Sequence, residues 1–120
     1  MRDLIKLFKA FSDPTRLRIV RLLMEGELCV CELENILEIS QSCISHQLQI
    51  LKGAYLVKDR RMGKWVVYSL EDNPYLSALS SSIKDWIKRE EVIREDLKMV
   101  RKCLNSNLMD RCKRLEGEGY

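Results

Sequence analysis

Apolar residues recur at helical spacing along most of the chain. Leu4, Ile5, Leu7, Phe8 and Phe11 mark one face of a short first helix. The string "SDPT" then restarts the chain, with Asp13 as N-cap and Pro14 in the first helical position. Leu17, Ile19, Val20, Leu22, Leu23 and Met24 make the second helix largely buried, and Gly26 is placed to end it. Leu28 to Leu37 reads as a third, short helix with Leu33, Ile36 and Leu37 inward. After a break at "EIS", Ser40 or Gln41 opens a fourth. Its Ile44, Leu48 and Leu51 repeat at i, i+4 and i+7, which leaves Gln41, Ser42, Ser45, His46 and Gln49 on the outer face. Gly53 closes it.

The texture then changes. "YLVKDRRMGKWVVYSL" is rich in β-branched and aromatic residues around "MGK", which predicts a β-hairpin with its tip at Met62 to Lys64. Beyond it, Asn73 and Pro74 open a last helix. Positions 76, 79, 83, 86, 90, 93, 97, 100 and 104 advance in alternating steps of three and four, and all are apolar except Glu90. That heptad seam predicts one helix of roughly 46 Å, too long for a small core to cover, so its seam is expected to meet a second subunit. The polar stretch "NSNLMDRCKRLEGEGY" is expected to be frayed or weakly helical.

The pattern therefore predicts a mainly α fold with a small β-hairpin, dimeric through its N- and C-terminal helices. Residues 1–104 form the domain and 105–120 a C-terminal extension. At 120 residues, 46% apolar with five glycines and two prolines, the composition fits one globular domain. No apolar run approaches the ~18 residues of a membrane span, and the charged, amphipathic start is unlike a secretory signal. Five cysteines, an odd number, argue against a disulfide framework and for a reducing cytoplasm.

A net charge of +3 says little, but its distribution says more. Glu25 to Ser40 holds five acids and no base. Gln41 to Lys64 holds five bases (Lys52, Lys58, Arg60, Arg61, Lys64) against Asp59 alone. Two short helices joined by a tight turn and followed by a basic hairpin describe a winged helix-turn-helix. The second helix of such a pair enters the major groove and offers short polar side chains near its N-terminus. Gln41 suits adenine, Ser42 and Ser45 suit bases or phosphates, and His46 suits a phosphate, with Cys43 and Gln49 on the same surface. Arg60, Arg61 and Lys64 on the wing would grip flanking backbone. A polar helix face or a lone histidine, taken singly, is more often plain solvated surface. Taken with the basic hairpin and the dimer helix, DNA binding is the better reading. Two-fold symmetry then predicts an imperfect palindrome with half-sites about one helical turn apart.

The strings "LFKAFSDPTRLRIVRLL", "GELCVCEL" and "SQSCISHQLQILKGAYLVKDRRMGKWVVYSL" resemble the ArsR/SmtB family of arsenical-resistance repressors, small dimeric metal-sensing winged-helix proteins. The resemblance spans most of residues 4 to 70. It implies a homodimeric apo-repressor of operator DNA that dissociates when its inducer binds, in control of a detoxification operon. Within the family, "ELCVCEL" points to the branch that senses As(III) and Sb(III), with Cys29 and Cys31 as ligands and no organic cofactor.

Soft thiolates select soft ions, among them As(III), Sb(III), Cd(II), Pb(II) and Zn(II). Thiols at i and i+2 of a regular helix point about 200° apart. Either Cys29 precedes the first turn, or ligation pulls that turn apart. As small buried hydrophobes, either cysteine would be unremarkable. In the arsenic-sensing pattern a third cysteine commonly follows three residues after the second, and here that position is Glu34. The third ligand is open between Cys43, Cys103, Cys112, and water or a small thiol. Relatives' zinc and nickel sites need histidine and carboxylate pairs, and His46 is the sole histidine. Rival readings keep the DNA-binding module but sense cadmium, lead, zinc or thiol oxidation. A thiol enzyme is a more distant rival, since C-x-x-C and an orienting constellation are missing from the sequence.

Overall fold

The computed structural model describes residues 1–117. In chain order the elements are α1 (Arg2–Phe11), α2 (Pro14–Leu23), β1 (Leu28–Cys29), α3 (Val30–Leu37), α4 (Gln41–Gly53), β2 (Val57–Met62), β3 (Trp65–Leu70), α5 (Pro74–Ile87), α6 (Glu91–Cys103) and α7 (Leu108–Gly117). The fold is mainly helical with a small antiparallel sheet, in the arrangement of a winged helix-turn-helix.

Local chemistry sets the helix starts. The Asp13 carboxylate accepts from the Arg16 backbone N–H at 3.1 Å, with Pro14 beside it in the first turn. Ser40 Oγ accepts from the Cys43 N–H at 3.4 Å, and Asn73 Oδ1 accepts from the Tyr75 and Leu76 N–H groups at 2.9 and 3.2 Å. The Asn73 amide also donates to the Tyr55 carbonyl, so this cap ties the end of α4 to the start of α5.

The core gathers Leu7, Ile19, Leu22, Leu28, Leu33, Ile44, Leu48, Leu51 and Leu56, each with no exposed surface. Each such burial stabilises the fold by about 1.5–3 kcal/mol before chain entropy is counted. Ile44, Leu48 and Leu51 are the inward face of α4 that periodicity predicts. Arg16 fixes the helix packing: it donates to the Ala10 and Lys9 carbonyls at the end of α1, and to Gln47 Oε1 on α4 at 2.7 Å.

Several expectations are corrected. Leu28 and Cys29 are a strand, not the start of a helix, and they pair with Tyr68 and Val67 of β3. The sheet therefore has three strands in the order β1-β3-β2. Two residues are too short a run for a strand to show as alternation. Gly26 does not end α2, which stops at Leu23. It lies where an added Cβ would sit 3.2 Å from Leu104 Cδ2, so it permits a close approach of the chain's later half. Gly53 is the last residue of α4, as expected. The left-handed residue that finishes that helix is Tyr55 (φ 58°), where the Tyr55 N–H bonds the Lys52 carbonyl and the Leu56 N–H bonds the Leu51 carbonyl.

The single long C-terminal helix is two. The break falls at 88–90, and Glu90, the one polar residue of the heptad seam, is the extended N-cap of α6. The second half of the seam folds back onto its own domain: Ile93 and Val100 are buried, and Leu97 and Leu104 pack on the main core. A bidentate pair fixes this return, Arg18 Nε and Nη2 donating to Asp96 Oδ2 and Oδ1 at 2.8 and 3.0 Å. Intrachain packing has claimed a seam that periodicity alone would give to a partner. Within the extension, Leu108–Gly117 is the helix α7, the helical one of the two alternatives expected there. Positions 118–120 of that extension lie outside the described residues. No described helix is long and apolar enough to cross a membrane.

Candidate thiol site and nucleic-acid interface

Cys29 occupies the last position of β1 and the N-cap of α3, with extended backbone (φ −82°, ψ 161°). Cys31 lies in the first turn. Because Cys29 precedes the helix, the two side chains converge, and they are joined as a disulfide with Cα atoms 5.4 Å apart. Of the two geometries the sequence leaves open, the turn stays intact and Cys29 stands before it.

The pair is not alone. The Sγ atoms of Cys29, Cys31 and Cys112 all lie within 4.8 Å of one another. Cys29 and Cys112 are buried with Val67, and Met62, Trp65, Cys31 and Leu108 pack around them. Of the other cysteines, Cys43 is exposed on α4, and Cys103 is half-buried against the main core.

An ion pair that sequence reasoning missed holds Cys112 in place. Arg111 Nε donates to Glu32 Oε2 at 2.7 Å, and its Nη2 donates to Glu32 Oε1 at 3.3 Å and to the Glu27 carbonyl at 2.9 Å. Glu32 Oε1 in turn accepts from the Cys29 backbone N–H at 3.1 Å. One buried carboxylate thus links the start of α3 to α7. A glutamate at the third position of a helix is a readable capping signal, but its partner 79 residues away is not.

Burial pushes the Cys112 thiol up to about 11, the Glu32 carboxylate adding to that and Arg111 opposing it. Burial also raises Cys103, again with Glu32 behind it and Arg111 and Arg114 against.

A groove of about 310 Å³ opens beside the thiol pair. Cys29, Cys31 and Glu34 line one side; Gln41, Ser45 and Gln49 of α4 line another; Lys64 and Trp65 of the wing complete it. Gln41, Ser42, Cys43, His46 and Gln49 are exposed on α4, and Ser45 is half-buried at the groove. The structure therefore gathers the predicted polar face as expected.

It divides the predicted wing bases. Arg60 faces Val67 across the hairpin and Arg61 faces Val66, so the two arginines lie on opposite faces of the ribbon. Arg60 Nη2 donates to Glu27 Oε1 at 2.9 Å, just ahead of β1. Lys64, at the tip beside Gly63 (φ 61°), sets its ammonium 5.4 Å from the centre of the Trp65 ring.

Residues 13–59 match the family described as bacterial regulatory protein, arsR family. The chain is similar to the arsenical resistance operon repressor of Escherichia coli K12, 49% identical over 82 residues, 68% of each chain. It is 51% identical over 71 residues to the cadmium resistance regulatory protein CadC homolog of Staphylococcus aureus, covering 58% of this chain and 59% of that one. The Synechocystis transcriptional repressor SmtB homolog is 47% identical over 72 residues, 60% of this chain and 54% of its own. The chain thus spans little more than half the length of these last two. Among solved structures, HlyU of Vibrio cholerae superposes with a TM-score of 0.68 at 31% identity, over 73% of this chain and 95% of that one. A homodimeric winged helix-turn-helix DNA-binding domain of Mycobacterium bovis gives 0.62 at 28% identity, over 75% and 87%.

Proposed function

Since the chain belongs to the ArsR family of bacterial regulatory proteins, we propose that it is a repressor that holds operator DNA as a homodimer and releases it when As(III) or Sb(III) binds Cys29 and Cys31. The observation that carries this reading is the shared groove, which brings the cysteine pair, the outer face of α4 and the wing tip against one space. In the reduced protein, each As–S bond forms as a thiol proton and an arsenic-bound hydroxyl leave together as water. Cys29 is also paired to Val67 in the sheet, so displacement of its sulfur is transmitted to β3 and hence to the wing. On this geometry the signal does not require α3 to unwind. It shifts the wing against the recognition helix.

In the DNA complex, Gln41, Ser42, Ser45 and Gln49 read base edges, while His46 and the Cys43 end of α4 lie against the backbone. Arg61 and Lys64 hold flanking phosphates, and Arg60 does so only after leaving Glu27. Dimerisation has support from two uncovered apolar stripes. Ile5 and Phe8 on α1 are 46% and 57% exposed, and Tyr75 and Trp86, eleven residues apart on one stripe of α5, are 41% and 68% exposed. The protein would act in the reducing cytoplasm, with no catalytic step of its own.

A second reading has an observation behind it. The Cys29–Cys31 disulfide is the product of a two-electron oxidation, in which a peroxide takes the electrons and two protons and is reduced to water. One experiment separates the two. Operator binding by the reduced dimer is followed as arsenite, cadmium or hydrogen peroxide is added, for wild type and for Cys29→Ser with Cys31→Ser. The arsenite reading expects release by arsenite at stoichiometric dose, lost in the double variant. Release by peroxide together with indifference to arsenite would replace it with the redox reading.

A further inference from the structure

We propose that α7 completes the inducer site, with Cys112 as its third sulfur and Arg111 as the positioning residue; this rests on the reading that Cys29 and Cys31 take a soft ion. Three sulfurs are already gathered within 4.8 Å. Cys29 and Cys31 are joined as a disulfide, so that bond must first be reduced to two thiols, by a phosphine that takes up oxygen from water and leaves as its oxide. Side-chain rotations can then bring the three sulfurs onto one ion. The two other candidates are elsewhere: Cys43 is exposed on α4, and Cys103 packs on the main core.

The placement of Cys112 is built, not incidental. Its neighbour Arg111 makes four hydrogen bonds: two to Glu32, one to the Glu27 carbonyl and one to the Ser106 carbonyl at 3.1 Å. Glu32 and Glu27 flank the cysteine pair in sequence, so α7 is docked at the place where the pair stands. Val67, Trp65, Met62 and Leu108 pack around the sulfurs and leave Cys31 partly exposed at the groove.

The chemistry of this donor set favours a trivalent metalloid over a divalent metal. Three thiols condense with arsenous acid to three As–S bonds and three waters, and no charge is left behind. Three thiols binding a divalent cation release three protons and leave a net negative charge, buried beside Glu32. The guanidinium beside it, Arg111, is already paired with that carboxylate.

The test is X-ray absorption of the full-length protein, reduced with a phosphine and loaded with arsenite, for wild type, Cys112→Ser, Cys112→Ala, Cys103→Ser and Cys43→Ser. Circular dichroism of each variant checks the fold. Three As–S bonds are expected in wild type, Cys103→Ser and Cys43→Ser. Two sulfurs and one oxygen are expected in both Cys112 variants, with arsenite affinity reduced on the order of 10²-fold, the scale of an effective-concentration effect. Arg111→Lys should keep three sulfurs but bind more weakly, which a purely structural role for Arg111 would not predict in a folded variant. Three sulfurs in the Cys112 variants, or two in wild type, overturn the proposal while leaving the pair as the site. Three sulfurs retained after loss of Cys29 and Cys31 together, or no arsenite bound by wild type, overturn it along with the reading beneath it.

Discussion

Glu38 sets the turn between α3 and α4, and it does so in a left-handed conformation (φ 55°, ψ 43°). A side chain with a Cβ resists that region by about 1–2 kcal/mol, whereas glycine does not. Glu38 is exposed, so little packing would be lost with it. Glu38→Gly is therefore expected to stabilise the protein by about 1 kcal/mol once the added freedom of the unfolded chain is deducted, read as a higher urea midpoint with unchanged slope. Single residues were the most legible level of this molecule. Asp13, Ser40 and Asn73 cap helices because their side chains reach backbone N–H groups two or three residues on, and that reach is written in the local sequence. The pairing of Glu32 with Arg111 obeys the same electrostatics, but nothing local announces a partner brought in by the return of the chain.

Among elements, the return itself is the main departure from periodicity. The seam from Leu76 to Leu104 satisfies a heptad rule, and its polar exception at Glu90 is where the helix breaks. The break was visible; its consequence was not, since a pattern of apolar positions does not say which surface will cover them. Here α2 does so through the Arg18–Asp96 pair and a second clamp, in which Glu25 accepts from Arg21 Nη1 and Arg101 Nε, each at 2.9 Å. Burial would raise the Glu25 carboxyl, but the hydrogen bonds and charges of Arg21 and Arg101 outweigh it and bring it below its usual 4.5. A carboxylate lowered in the folded state lends stability above its unfolded value, and that stability is lost as pH falls through the lowered folded value. The difference in unfolding midpoint between wild type and Glu25→Gln is thus expected to be constant from pH 7 to about 5.5 and to shrink below 4.5. A difference that persists unchanged at pH 3 would remove Glu25 from the account.

At the scale of the whole molecule, the winged helix-turn-helix was legible because its parts follow in order along the chain: two helices, a turn, a polar outer face and a basic hairpin. The third strand was not, being two residues long, and neither was the split of the wing arginines, which depends on hairpin register. Both bear on how DNA would be held. Replacing a phosphate-binding residue should flatten the salt dependence of operator affinity by about 0.9 in log-log slope per contact, or about 1.8 for both wings of a dimer. Lys64→Ala and Arg61→Ala are expected to show that change. Arg60→Ala, whose native residue is occupied by Glu27, is expected to show less. Assembly is tested at the uncovered stripe of α1: Phe8→Glu should shift the reduced protein toward monomer in sedimentation and weaken operator binding, with its helical content kept.

Cys112 sits far outside residues 13–59, the portion shared with the family as a whole. If the third sulfur comes from there, the ligand set is divided, with Cys29 and Cys31 inside the shared portion and the third ligand on a helix outside it. On that proposal, a different tail grafted after the same residues 13–59 would change the third ligand and with it the ion preferred, while the shared portion stays as it is.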